Sequence, residues 1–120
     1  MQTLIKNGRM IDPANQLDGS FDLLIEEGRI EAVEPKGKIF GSKLKDISVI
    51  DAKDCVVAPG FCDMHVHFRE PGHEYKETIE SGSASASAGG FSTVAVMPNT
   101  SPVNDNASVT ELILSQAKKN

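Results

Sequence analysis

The sequence has no tryptophan, one tyrosine and five phenylalanines, so its core must be aliphatic rather than aromatic. It has two cysteines, Cys55 and Cys62, too few for the disulfide framework of a small secreted domain. Basic charge is not in excess: 12 Lys and Arg stand against 17 Asp and Glu, a net charge of −5. That balance excludes nucleic acid and anionic membrane as expected main partners. No apolar run approaches the roughly 18 residues of a membrane helix. Met1-Gln2-Thr3-Leu4-Ile5-Lys6-Asn7 lacks the long apolar stretch of a signal peptide. A reduced, cytoplasmic setting is the expectation. What remains is 120 residues, 39% of them hydrophobic, enough for one small domain or part of a larger one.

The first half reads as short strands. Thr3–Lys6, Asn7-Gly8 and Arg9–Ile11 form one strand–turn–strand pattern, and Phe21–Glu26, Glu27-Gly28 and Arg29–Val33 form a second. Asn-Gly is the strongest short hairpin signal, because a type I′ turn needs positive φ at both central residues. Two similar hairpins are therefore predicted, with Asp12-Pro13-Ala14-Asn15 as a turn between them. Lys36 to Asp46 reads as a loop, and Ser48–Asp51 and Cys55–Ala58 as two further strands. Residues 1–58 are expected to form a small antiparallel sheet or sandwich.

The second half changes period. Phe61–Phe68 reads as a strand opened by Pro59-Gly60, and Glu74–Ala88 as a helix stopped by Gly89-Gly90. Tyr75, Ile79, Gly82, Ala86 and Gly89 make its best face. The alternating Ser83–Ala88 stretch also fits a Ser/Ala linker. Phe91–Met97 is apolar enough for a buried parallel strand, and Pro98 ends it. Ser108–Lys119 reads as a second helix, with Ser108 and Glu111 spaced as a capping box and Val109, Leu112, Ile113 and Ala117 as its apolar stripe. Strand, helix, strand, helix implies a parallel sheet.

The chemistry lies in Asp63-Met64-His65-Val66-His67-Phe68-Arg69. Side chains alternate along a strand, so Asp63, His65, His67 and Arg69 are expected on one face and Met64, Val66 and Phe68 on the other, against the helices. Two imidazoles two residues apart can reach one transition-metal ion such as zinc. Cys62 has the wrong parity to join them and reads as a small buried core residue. His73 lies in a turn, where exposure is the plainer reading. Asp63 either orients the histidines from behind or accepts a structural hydrogen bond in the sheet. Arg69 either grips a carboxylate in a bidentate manner or pairs with Glu70, Glu74 or Glu77. Asn99, in the Met97–Pro102 loop, faces the same site or serves as a turn residue. Parallel βα architectures bind ligands at the strand ends these loops leave.

Taken together, Pro59-Gly60-Phe61-Cys62-Asp63-Met64-His65-Val66-His67-Phe68-Arg69-Glu70-Pro71-Gly72 resembles the signature of the amidohydrolase superfamily. More narrowly, it resembles class I dihydroorotases. Tyr75–Gly82, Gly89-Gly90 and Met97-Pro98-Asn99-Thr100-Ser101-Pro102 are similar to the same family. Allantoinases usually lack an arginine at the place of Arg69, and hydantoinases diverge after the second histidine.

The resemblance implies a mixed β plus α/β fold. Residues 1–58 would belong to a small β-sandwich, and residues 59–120 would be the first two βα units of an incomplete metal-dependent (β/α)₈ barrel. It implies His65 and His67 as ligands of one or two zinc ions. Arg69 and Asn99 would hold the substrate carboxylate, His67 would also face substrate, and Asp63 would sit behind the histidines. The implied reaction is the reversible cyclisation of N-carbamoyl-L-aspartate to L-dihydroorotate in pyrimidine biosynthesis, by a cytoplasmic enzyme that is a homodimer when complete. The family's acid/base aspartate and remaining ligands lie beyond Asn120, so no catalytic acid or base is expected here. A full barrel needs roughly 200 residues or more, and catalytic zinc normally takes three protein ligands. The expectation is thus an N-terminal part, inactive by itself. Two alternatives stand beside it. One is another cyclic amidohydrolase, an allantoinase or hydantoinase, which substrate preference would separate. The other is a non-catalytic scaffold or assembly subunit, which zinc content would separate.

Overall fold

The structure is a computed structural model that describes residues 1–39 and 47–119. It forms two compact units, Met1–Pro59 and Gly60–Asn120. The loop expected over Lys36–Asp46 lies in its larger part outside the described residues.

The first unit holds β1 (Gln2–Lys6), β2 (Arg9–Asp12), β3 (Leu17–Glu26), β4 (Arg29–Pro35), β5 (Ile47–Asp51) and β6 (Val56–Val57). They form one sheet in the order β5-β1-β3-β2-β6, with β4 on the other edge of β3. The ten-residue β3 is the spine. Its C-terminal half pairs antiparallel with β1 and its N-terminal half with β2.

This corrects the first predicted hairpin, because β1 and β2 do not pair with each other. Ile5 faces Leu23 and Arg9 faces Ser20, so Lys6, Asn7 and Gly8 oppose only Phe21 and Asp22. Asn7-Gly8 is a bulge in one long strand, with Asn7 at φ +68°. A Cβ on Gly8 would lie 2.7 Å from Val57 Cγ2, so this glycine serves a close approach rather than a turn. The reversal comes instead at Pro13–Asn15, a short 3₁₀ turn. There Asp12 Oδ1 accepts the N–H groups of Ala14 and Asn15 at 3.1 and 3.3 Å. The second hairpin has the predicted form: Glu26 faces Arg29, and Glu27 and Gly28 both have positive φ, +50° and +75°.

The sheet is also mixed, not antiparallel. With both edges of β3 occupied, β5 adds parallel to β1 and β6 parallel to β2. Leu4, Met10, Leu23, Leu24 and Ala52 form the aliphatic core. Leu23 and Leu24 are neighbours on one strand, so β3 is covered on both faces.

The second unit holds β7 (Phe61–Val66), α1 (Ile79–Ala88), β8 (Phe91–Val96) and α2 (Ala107–Ala117). As the βα order requires, β7 and β8 are parallel. Its core is Phe68, Ile79, Val109 and Ile113, flanked by Val66, Val94 and Val96. The Ser/Ala stretch is helical, and its small residues have a purpose. A Cβ on Gly82 would lie 2.5 Å from Phe68 Cε1, so the Phe68 ring sits in the notch that Gly82 leaves.

Three boundaries differ from expectation. α1 begins at Ile79, not Glu74, because Thr78 and Ser81 exchange side-chain-to-backbone hydrogen bonds at 3.1 Å in both directions, a capping box. Tyr75 therefore leaves the apolar face and is 80% exposed. α2 is capped by Asn106, whose Oδ1 accepts the Val109 N–H at 3.2 Å, and not by Ser108. Only Val109 and Ile113 of its stripe are buried, while Leu112 and Ala117 are exposed. β7 stops at Val66, two residues early. Its pairing slips between Asp63, opposite Val94, and Val66, opposite Val96. Three steps on β7 span two on β8, which breaks the alternation and leaves Met64 exposed instead of packed. Cys62 is likewise exposed, as is Cys55. Among the described residues no helix is long and apolar enough to cross a membrane.

Two substitutions test this packing. Helix propensity alone favours Gly82→Ala by about 1 kcal/mol, whereas overpacking against Phe68 costs about 1–3 kcal/mol. We expect denaturant unfolding to show net destabilisation; a variant more stable than the wild type contradicts the notch. Asp12→Ala should cost about 0.5–2 kcal/mol through the lost turn cap. An unchanged unfolding midpoint would place the reversal elsewhere.

Candidate active site

Burial of Phe68 fixes the chain that leaves β7. Its neighbours His67 and Arg69 are thereby held at the strand end, His67 exposed and Arg69 half-buried. The His65 and His67 rings lie edge to face with centroids 5.1 Å apart, both open to solvent. The loop after β8 reaches them: His67 Nδ1 lies 2.9 Å from Asn99 Oδ1. Asp63 behaves differently from its strand neighbours. Its Oδ1 accepts the backbone N–H of His65 at 3.0 Å and meets neither imidazole. With His67, Phe68, Glu77, Gly82 and Ser85 it lines an open cleft of about 290 Å³.

Arg69 has no carboxylate partner among the described residues. The three candidates are engaged elsewhere. Glu70 accepts the Ile79 N–H at 2.9 Å, at the start of α1. Glu74 accepts the Gly72 N–H at 2.7 Å, which holds its carboxyl below the usual range. Glu77 accepts the Ser81 hydroxyl. Each carboxylate organises the loop or the helix start, which leaves the guanidinium for another anion.

The two loops are locked together by residues to which the sequence assigned no role. Ser101 donates its N–H to Pro71 O at 2.9 Å. Gly72, at φ +97°, lies so close that a Cβ would fall 2.2 Å from Ser101 O. Thr100 is 4% exposed, and its hydroxyl donates to Pro102 O at 2.7 Å. The signal for Gly72 was present, since a glycine after proline marks a tight turn, but its partner loop was invisible. His73 is half-buried rather than exposed; its N–H bonds Arg69 O at 2.9 Å and its ring meets Tyr75 edge-on at 6.3 Å.

Two imidazoles at one strand end suit a borderline metal such as zinc. They are two donors only. Among the described residues no group of three or more His, Cys, Asp or Glu side chains converges to hold a metal. The pair fits as part of a zinc site whose remaining ligands come from elsewhere.

Comparison with known proteins shows which family the chain matches. A family model described as dihydro-orotase-like matches residues 54–120. The chain is 54% identical over 119 residues to a dihydroorotase of Syntrophus aciditrophicus (strain SB), covering 99% of this chain and 27% of that protein. It is 46% identical over 118 residues to a dihydroorotase of Aquifex aeolicus (strain VF5), covering 98% and 27%. Among solved structures, an L-hydantoinase (dihydropyrimidinase) from Arthrobacter aurescens superposes with a TM-score of 0.80 at 26% identity, covering 96% of this chain and 24% of that one. A D-hydantoinase (dihydropyrimidinase) from Thermus sp. gives 0.72 at 30% identity, covering 96% and 24%. The chain thus spans about a quarter of the length of the relatives it matches. With the family model matched over more than half of its length, on the segment that carries both histidines, Arg69 and Asn99, the chain belongs to the dihydro-orotase-like family.

Proposed function

We propose that this chain supplies the first metal-ligand pair and the carboxylate-binding arm of a zinc-dependent dihydroorotase, which interconverts N-carbamoyl-L-aspartate and L-dihydroorotate. One observation carries the reading. His65 and His67 lie side by side and open to solvent at the end of β7, Asn99 reaches His67 from the loop after the parallel β8, and Arg69, two residues further on, has no carboxylate partner among the described residues. The names of relatives 46–54% identical support it over the hydantoinase alternative, for which the two solved structures described above are 26% and 30% identical.

In this reading β7, α1, β8 and α2 are the first two βα units of a (β/α)₈ barrel, and residues 1–58 belong to a small β-sandwich. His65 and His67 would hold one or two zinc ions together with ligands from the part of the relatives this chain does not cover. Zinc so held supplies Lewis-acid activation of water and of the amide carbonyl. The residues of this chain do the positioning. Arg69 offers a fixed fork of N–H donors to the substrate carboxylate, and the Asn99 amino group offers a further donor. His67 stands against Asn99, so its ring would also border the substrate. Asp63 holds the backbone of His65 and so sets where that imidazole starts. The acid/base aspartate belongs to the uncovered part. The complete enzyme would be a cytoplasmic homodimer acting on a small molecule.

The test uses a protein of the relatives' full length that carries this chain. It should turn over dihydroorotate in preference to hydantoin and allantoin, and dialysis against a chelator should abolish turnover until zinc returns. In the same protein, Arg69→Met should raise KM for dihydroorotate about 10- to 100-fold, the loss of a charge-assisted hydrogen bond worth about 1.5–3 kcal/mol. A preference for hydantoin or allantoin, or an Arg69→Met variant with unchanged KM, would refute the assignment. Absence of bound zinc both with and without His65 and His67 would support the scaffold reading instead.

A further inference from the structure

We infer that Asn99 is a positioning residue for His67, holding the imidazole as the Nδ1–H tautomer so that Nε2 is its free lone pair. The inference rests on the zinc reading above and deepens it. The observation is the 2.9 Å contact between His67 Nδ1 and Asn99 Oδ1. A carboxamide oxygen only accepts. Opposite it, Nδ1 must therefore carry the proton, and a neutral ring protonated at Nδ1 has its lone pair at Nε2. With Nδ1 occupied, Nε2 is the one ring nitrogen left to face a metal.

The contact joins two separate strand ends, 32 residues apart in sequence. It is held from both sides. Phe68, buried in the Gly82 notch, fixes the chain next to His67. Thr100, buried and bonded to Pro102 O, fixes the chain next to Asn99. Ser101 and Gly72 clamp one loop to the other. His65 has no such arrangement, since Asp63 holds its backbone and not its ring. The two histidines are therefore not equivalent: one ring is oriented through its own nitrogen and the other through its main chain. The Asn99 amino group has no partner among the described residues, so the carboxamide can orient His67 through its oxygen and still donate to an anion through its nitrogen.

The tautomer can be read directly, without substrate or metal. Long-range ¹H–¹⁵N correlation of this chain in mildly alkaline buffer should show His67 protonated at Nδ1 and bare at Nε2. Asn99→Leu, of similar shape and without an acceptor, should give the averaged pattern of an unconstrained imidazole. Asn99→Asp, which keeps an acceptor, should restore the Nδ1–H form. In a protein of the relatives' full length that carries this chain, zinc alone, titrated calorimetrically into the metal-free form, should bind Asn99→Leu about 10- to 100-fold more weakly than the wild type, the usual effect of losing a ligand's orienting partner. His67 bare at Nδ1 in the wild type, or a tautomer unchanged in Asn99→Leu, overturns the inference. Neither readout involves dihydroorotate. An Nδ1–H tautomer in a longer protein that ignores dihydroorotate sinks the enzymatic assignment alone, and dihydroorotate turnover with the opposite tautomer sinks this inference alone.

Discussion

The second unit depends on one packing contact, the ring of Phe68 in the space where Gly82 has no side chain. Phe68 directly follows His67 and directly precedes Arg69. Burying it anchors the chain between these two candidate side chains and leaves His67 open to solvent. The helix that provides the notch is poor in large apolar residues, so it docks by close approach rather than by bulk. Dispersion falls steeply with separation, and an extra methyl in the notch would push the helix from the sheet. Ile79, one turn earlier on the same face, is the most buried hydrophobic side chain among the described residues and completes the grip.

Around this anchor the carboxylates serve structure. Glu70, Glu74 and Glu77 each accept a hydrogen bond from the loop or the helix start. This has an electrostatic consequence for a chain that is acidic overall. These negative charges are bound to N–H and O–H donors, and the Arg69 guanidinium is not neutralised by an ion pair among the described residues. A cation without a carboxylate partner among the described residues therefore stands just past the end of β7. The acidic composition and an anion-binding role are compatible because position, not net charge, decides what the ligand encounters.

The first unit shows how one sequence pattern can have two outcomes. Leu4-Ile5-Lys6-Asn7-Gly8-Arg9 and Leu24-Ile25-Glu26-Glu27-Gly28-Arg29 look alike, yet the second is a hairpin turn and the first a bulge. Both supply a residue with positive φ just before glycine. What differs is the partner. Around Gly28 nothing lies close, so the chain folds back on itself. Around Gly8 the side chains of Val57 and Ala52 press in, and the chain runs on along β3.

Local chemistry was legible in the sequence. The Glu27-Gly28 turn, the Asp12-Pro13 reversal, the glycine stop after α1 and the parallel order of β7 and β8 follow from short-range sterics and periodicity; the aliphatic core expected from composition holds in the first unit, whereas the second is built on the Phe68 ring. Strand alternation and loop position made His65, His67, Arg69 and Asn99 candidates, but each had a plainer structural reading, and their weight came from the resemblance to a known family. Tertiary structure decided the rest. It chose Asn106 over Ser108 and Thr78 over Glu74 as helix starts, because a cap depends on which side chain reaches a free N–H. It broke the alternation of β7 with a bulge, because pairing with β8 outweighs ideal pleating. Above all it set His67 against Asn99 and Gly72 against Ser101. These contacts join loops about thirty residues apart, and no local rule of spacing encodes a distance that only folding closes.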